Sequence, residues 1–205
     1  MQRQVILASQ SPRRRELLTK MGVTFTAVPS DFEEYLDHAR LPAEVAKELG
    51  LGKARAVAQK YPDALVIGSD TIVTINGIQL GKAVNIEEAR QWLKDQASHD
   101  VLVTTSIVLV CQALGLEEST ADECIVHFKP YDEAVHEAYL QTHNWVDKAG
   151  AWGIQGGAAP LIAYVQGDYD TILGLSSRLL AKLLQKQGIE AKVLQLEPPV
   201  PQHRA

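Results

Sequence analysis

The chain is poor in cysteine and in net positive charge, and each shortage removes a class of function. Of 205 residues only two are cysteines, Cys111 and Cys124. Two thiols make neither a disulfide framework nor a zinc-site spacing, and their apolar neighbours point to buried, reduced side chains, as expected in a reducing compartment. Twenty Lys and Arg stand against 25 Asp and Glu, a formal net charge of −5. That argues against a broad basic face for nucleic acid. No apolar run approaches the ~20 residues needed to span a bilayer. Met1–Ala8 is too short and too polar for a signal peptide. A cytoplasmic protein without nucleic-acid or membrane partners is expected.

Several chemistries also fail on inventory. The chain contains no G-x-S-x-G elbow, no H-E-x-x-H and no G-x-x-x-x-G-K-[ST] phosphate loop. His136-Glu137 lacks a second histidine four residues on. The six histidines show no ligand spacing, so most are read as surface or satisfied core residues.

What remains is an ordinary soluble composition, 46% apolar and 22% charged, enough to bury a sizeable core. Short apolar runs predict strands at Val5–Ala8, Val23–Val28, Ala64–Gly68, Thr71–Ile75 and Pro160–Val165. Two long antiparallel strands, 100–110 and 118–128, are expected around Gly115. Helices are expected from Pro12 to about Met21, from Pro42 to about Lys60, over Ile86–Gln96, over Asp132–Thr142 and over Thr171–Gln187. Ser11 and Pro12 suit a helix start, Gly22 and Gly188 suit helix ends, and Asn76-Gly77 is a hairpin turn. The alternation predicts an α/β fold around a mixed, twisted sheet. Residues 1–195 are read as one catalytic domain, and the proline-rich tail 196–205 as disordered.

Four segments carry candidate chemistry. Ser9-Gln10-Ser11-Pro12-Arg13-Arg14-Arg15 places three arginines in the first turn of a helix. A helix N-terminus is already partly positive, so arginine there is wrong-signed unless an anion sits on it. Taken alone, an anion site and a solvated charge run balance. Asp70 in Gly68-Ser69-Asp70-Thr71 follows a buried strand, where ligands bind in open α/β sheets, and suits a divalent metal or a proton transfer. A turn-forming aspartate is the commoner explanation of that pattern. Lys82 lies just past the hairpin, where lysines usually face solvent. The stretch 147–157 has four glycines in eleven residues, with Lys148 for charge and Gln155 able to read a base edge, although an ordinary loop has the same composition. Glu33-Glu34 and Lys53 complete the set, with Glu34 able to join Asp70 in a magnesium site.

At these segments the chain resembles the Maf family of nucleotide pyrophosphatases. The blocks, in family order, are Leu7–Arg14, Ser69–Val73 with Leu80–Lys82, Asp147–Gly150 through Gly153–Gly156, and Gly167–Tyr169 with Leu173–Leu175. The resemblance spans about residues 4 to 187. It implies a Maf or inosine-triphosphatase-like fold with a deep cleft between two lobes, usually a homodimer, cleaving a nucleoside triphosphate between its α- and β-phosphates. It casts Asp70 as general base or metal ligand, with Glu34 completing the site of a divalent cation, Mg²⁺ or Mn²⁺. Lys53 and Lys82 line the same site. Ser9, Arg13 and Arg14 would meet phosphate.

Arg13, Thr71 and Gln155 resemble the branch acting on dTTP and UTP, with Lys148 beside the nucleotide and modified pyrimidine triphosphates as further substrates. The alternatives are the 7-methyl-GTP branch and a non-catalytic nucleotide-binding regulator of cell division. The chain departs from the family pattern at Ala83, Ala97, Trp152 and Ser176. None of these removes a charged site residue.

Overall fold

The computed structural model describes residues 3–203. In chain order its elements are β1 (Val5–Leu7), α1 (Pro12–Lys20), β2 (Thr26–Ala27), α2 (Pro42–Ala58), β3 (Leu65–Gly68), β4 (Thr71–Ile75) and β5 (Ile78–Leu80). There follow α3 (Ile86–Gln96), β6 (Asp100–Cys111), β7 (Leu116–Phe128), α4 (Glu133–Leu140), β8 (Ile162–Gln166), α5 (Tyr169–Leu173), α6 (Ser177–Lys186) and β9 (Gln202–His203). The fold is mixed α/β. None of these helices is long and apolar enough to cross a membrane.

The chain forms two compact units. The first takes residues up to 71, 104–122 and 170–196. Its strands run β2-β1-β3-β6-β7. β1 is parallel to both neighbours, and β3 is antiparallel to β6 with Gly68 opposite Val108. Helix α2 covers this sheet through a cluster including Ile6, Ala54, Val57, Val66 and Val108. The approach is unusually close. A Cβ at Gly68 would overlap the Gly50 carbonyl oxygen and stand 2.9 Å from the Ala54 Cβ. A Cβ at Gly50 would stand 2.6 Å from the Ser106 Oγ. Glycine in a helix interior costs about 1 kcal/mol relative to alanine; here it lets the helix backbone reach the end of β3.

The second unit takes residues 72–103, 123–169 and 197 onward. β4 and β5 form the expected hairpin, with Asn76 and Gly77 both at positive φ (49° and 79°), as a type I′ turn requires. Helices α3 and α4 pack together, tied by a two-pronged Arg90–Glu137 pair at 2.5 and 3.0 Å.

Four expectations change. β2 covers only two residues, because Gly22 turns the chain at φ 78° and the Val23 N–H closes onto the Leu18 carbonyl. The helix expected over 171–187 is two helices. Gly174 breaks it at φ 100°, and Ser176 restarts it as an N-cap accepting from the Leu179 N–H. Pro160 lies in a short 3₁₀ turn, and the strand begins at Ile162. In the tail read as disordered, Gln202 and His203 pair parallel with β8, and the Pro201 carbonyl accepts the Val165 N–H at 2.9 Å. Residues 204 and 205 of that tail lie outside the described residues. Cys111 and Cys124 are buried free thiols.

Gly68→Ala is expected to destabilise the protein by about 1–3 kcal/mol, since backbone and not a pliable side chain blocks the new methyl. Urea unfolding measures it, and a loss below about 0.5 kcal/mol would show that α2 does not press on β3 as described.

Candidate active site

The close contact of Gly50 with Gly68 explains where the charges meet. Lys53 lies three residues beyond Gly50, on the same side of α2, and Asp70 lies two beyond Gly68. Lys53 Nζ forms a short ion pair with Asp70 Oδ1 and a second with Glu34 Oε1 at 2.9 Å. One ammonium thus joins two carboxylates from separate stretches of the first unit. The side chains of Lys53 and Asp70 are only 12% and 10% exposed, whereas that of Glu34 is 44% exposed.

The Asp70 backbone is fixed as well. Its N–H donates to Ser106 Oγ at 3.0 Å, and its carbonyl accepts the Ser106 N–H at 2.9 Å. Burial raises the Asp70 pKa. The charges of Lys53 and Arg14 and the Lys53 hydrogen bond oppose that rise, while Glu34 adds to it. Buried in this way, the carboxylate is a stronger proton acceptor than a free aspartate.

Beside it stands Arg14, from the first turn of α1. Ser11 caps that helix, accepting the Arg14 N–H at 3.4 Å. The first turn carries no acidic residue. Arg14 Nε donates to the Gly174 carbonyl at 2.8 Å, Nη1 to Ser9 Oγ at 3.4 Å and Nη2 to Thr71 Oγ1 at 3.2 Å. Three neutral oxygens therefore hold a half-buried cation. Burial lowers its pKa, the charge of Asp70 opposes this, and neighbouring Arg13 adds to the lowering.

The oxygens are themselves anchored. Thr105 donates its hydroxyl to the Thr171 carbonyl at 2.7 Å, so the 3.0 Å contact between Thr71 and Thr105 must have Thr71 as donor. The Gly174 carbonyl also accepts the buried Ser69 hydroxyl at 2.9 Å. Gly174 owes its identity to this role. Besides its positive φ, a Cβ there would crowd Arg14 Nε and Thr71 Oγ1 at 3.2 Å each.

The first unit thus carries Ser9, Arg13, Arg14, Glu34, Lys53, Asp70 and Thr71. Bonds or ion pairs link Ser9, Arg14 and Thr71 in one cluster, and Glu34, Lys53 and Asp70 in another. The charges of Arg14 and Asp70 bear on each other. Lys82, Lys148 and Gln155 belong to the second unit. There Lys82 bridges antiparallel to Ala149, and the Gly150 N–H donates to the Gly81 carbonyl at 3.0 Å. The hairpin and the glycine-rich stretch, separate in sequence, are therefore neighbours. Gln96 secures them, donating its side-chain amide to the Gly150 carbonyl at 2.9 Å. Lys82 and Gln155 are exposed and Lys148 is half-buried.

The roles of Ser106, Thr105 and the paired glycines were not read from sequence. The signal for Thr105 and Ser106 is the hydroxyl run Thr104-Thr105-Ser106, flanked on both sides by apolar residues of β6, and all three are fully buried.

Among the described residues no three His, Cys, Asp or Glu side chains converge as a metal cage. Asp70 and Glu34 nonetheless offer two hard oxygen donors, both bonded here to the Lys53 ammonium, which a cation would have to share or displace. Mg²⁺ takes one or two carboxylates and completes its shell with water and substrate phosphate, so the pair matches its donor set.

The Asp70 carboxyl is expected to titrate above the ordinary aspartate value of about 4 in metal-free protein. Held above its unfolded value, this group contributes stability that is complete at low pH and is lost as pH rises through the folded pKa. Carbon-13 NMR of the carboxyl measures it, and a midpoint below about 4 would show that the cations outweigh burial.

Comparison with known proteins gives the family. The family model described as "Maf-like protein" matches residues 4–187. A protein of Symbiobacterium thermophilum named dTTP/UTP pyrophosphatase is 42% identical over 186 residues, covering 90% of this chain and 94% of that protein. One of Deinococcus radiodurans with the same name is 41% identical over 187 residues, covering 91% and 94%. A third, from Bacillus velezensis, is 38% identical over 193 residues, covering 93% and all of the relative. Matched by that family model over residues 4–187 and 38–42% identical to these relatives over nearly all of its length, the chain belongs to the Maf family.

Proposed function

We propose that this protein is a nucleoside triphosphate pyrophosphatase that hydrolyses dTTP and UTP, and modified pyrimidine triphosphates, to the monophosphate and pyrophosphate. The observation that carries the reading is the Lys53 ammonium shared by Asp70 and Glu34, in the same unit as a half-buried arginine held by neutral oxygens. The names of the relatives supply the substrate class.

The α-phosphorus is attacked by water. A new P–O bond forms there, the bond from the α-phosphorus to the bridging oxygen breaks, and pyrophosphate leaves with that oxygen and the electron pair. The proton of the water passes to Asp70. Lys53, bonded to both carboxylates, keeps Glu34 as a charged partner once Asp70 is neutral, so the proton transfer leaves no ammonium unpaired. Arg14, pre-oriented by three oxygens, meets phosphate oxygens without reorganising, and Ser9, Arg13 and the N–H groups of the α1 start add to that grip. Asp70 and Glu34 would hold a divalent cation, Mg²⁺ or Mn²⁺, which when bound neutralises charge on the phosphate oxygens.

Thr71 serves the substrate beside Arg14. For Lys82 in catalysis, and for Lys148 and Gln155 in nucleotide recognition, the support is the family resemblance. The resemblance likewise supports a homodimer, and the buried free thiols Cys111 and Cys124 fit a reducing, cytoplasmic setting.

A panel of nucleotides assayed for pyrophosphate release with Mg²⁺, Mn²⁺ and chelator is expected to give the highest kcat/KM for dTTP and UTP and none with chelator. Turnover of 7-methyl-GTP in preference, or nucleotide binding without turnover, would contradict the reading. In the same assay Asp70→Asn is expected to fold and to lose about 10²- to 10⁴-fold in kcat, the usual worth of a general base. Near-wild-type release from that variant would remove Asp70 from the mechanism.

A further inference from the structure

Glu34 sits on a stretch without regular structure between β2 and α2, and residues 31–35 are all exposed. From this stretch the Glu34 carboxylate reaches the Lys53 ammonium at 2.9 Å. The Lys60–Asp31 ion pair at 2.8 Å is solvent-exposed and so contributes little. The Phe32 N–H donates to Ser30 Oγ at 3.2 Å, which shapes the stretch locally without tying it to α2.

The ring of Phe32, itself 37% exposed, reaches back onto α2. It lies across Gly52 so closely that a Cβ there would overlap Cζ and stand 2.5 Å from Cε2 and 2.6 Å from Cε1. Carbon atoms pack at roughly 3.5–4.0 Å. Gly52 is interior to α2, where alanine is the better helix former, and the Phe32 atoms are its nearest neighbours. The spacing gives the contact its meaning. Gly52 directly precedes Lys53, and Phe32 lies two residues before Glu34. The ring-on-glycine contact and the Glu34–Lys53 ion pair are therefore successive fastenings of one strap to one helix.

We propose that Phe32 and Gly52 are positioning residues: the ring seated on the bare helix backbone sets Glu34 beside Lys53 and Asp70. The inference rests on the part given to Glu34 in the proposed reaction.

The test is a double-mutant cycle on kcat for dTTP or UTP with Mg²⁺, using Gly52→Ala, Glu34→Gln and the double variant. Gly52→Ala is expected to lose roughly 10- to 100-fold, as misplacement by about 1 Å can cost. Its melting temperature should stay at or above that of the wild type. In the Glu34→Gln background the same change should matter by less than about twofold, because the group it positions is already gone. Phe32→Ala, which removes the ring without adding a methyl, is expected to show the same coupling and keeps the test open if Gly52→Ala folds poorly. A readout independent of turnover is the Lys53 Nζ nitrogen resonance in metal-free protein. In Gly52→Ala it should move toward its position in Glu34→Gln.

Wild-type kcat in Gly52→Ala and Phe32→Ala, or an equal loss in both backgrounds, would overturn the proposal and leave the reaction assignment standing. Wild-type kcat in Glu34→Gln would instead remove Glu34 from the reaction and the positioning role with it.

Discussion

A single buried ammonium shared by two carboxylates is the constraint on which the rest of the first unit depends. Removing ionised groups from water costs several kcal/mol each even after the protein relaxes. A well-packed apolar pair in place of Lys53 and Asp70 would serve stability as well or better. The cluster therefore makes sense as chemistry. It presents a proton acceptor of raised pKa, a second carboxylate and a cation within a few ångströms of one another. The fold supplies the conditions for it. Two glycines let α2 approach β3 closely enough for Lys53 to reach Asp70, and Ser106 fixes the Asp70 backbone from the neighbouring strand.

Arg14 solves a second problem. Arginine at a helix start opposes the helix dipole, and here it is held by oxygens of Ser9, Thr71 and Gly174. A guanidinium placed among neutral acceptors keeps its charge available for an anion, whereas a carboxylate partner would have satisfied it. The chain of hydroxyls from Thr71 through Thr105 to the Thr171 carbonyl points every donor the same way, which fixes Thr71 as an acceptor toward Arg14.

The parts of the fold written in local chemistry were legible in the sequence. Ser11-Pro12 starts a helix, Asn76-Gly77 turns a hairpin, and Ile86–Gln96 forms the helix its pattern predicts, with Asn85 as its cap. Arg14 and Asp70 could be named because arginines in a first turn and a carboxylate after a buried strand are locally odd, whereas Glu34 and Lys53 took their places from the family resemblance. What was not legible depends on residues distant in sequence. Gly174 looks like a tolerable glycine within a helix until the Arg14 and Ser69 side chains are seen to share its carbonyl oxygen. Gly50, Gly52 and Gly68 are determined by a neighbouring backbone or ring. Gln202 and His203 look disordered by composition, yet β8 offers them an open edge. Ser176, a departure from the family pattern, is accommodated by Asp122, which accepts its hydroxyl at 2.5 Å and also bonds Arg178.

The claim that the Lys53 cluster and Arg14 face one polyphosphate is tested most directly by nitrogen-15 NMR of those two side chains during titration with the non-hydrolysable α,β-methylene analogue of dUTP. The account predicts that the Lys53 Nζ and Arg14 Nε resonances both move and saturate with one shared Kd. Saturable nucleotide binding that leaves both resonances unmoved would contradict it.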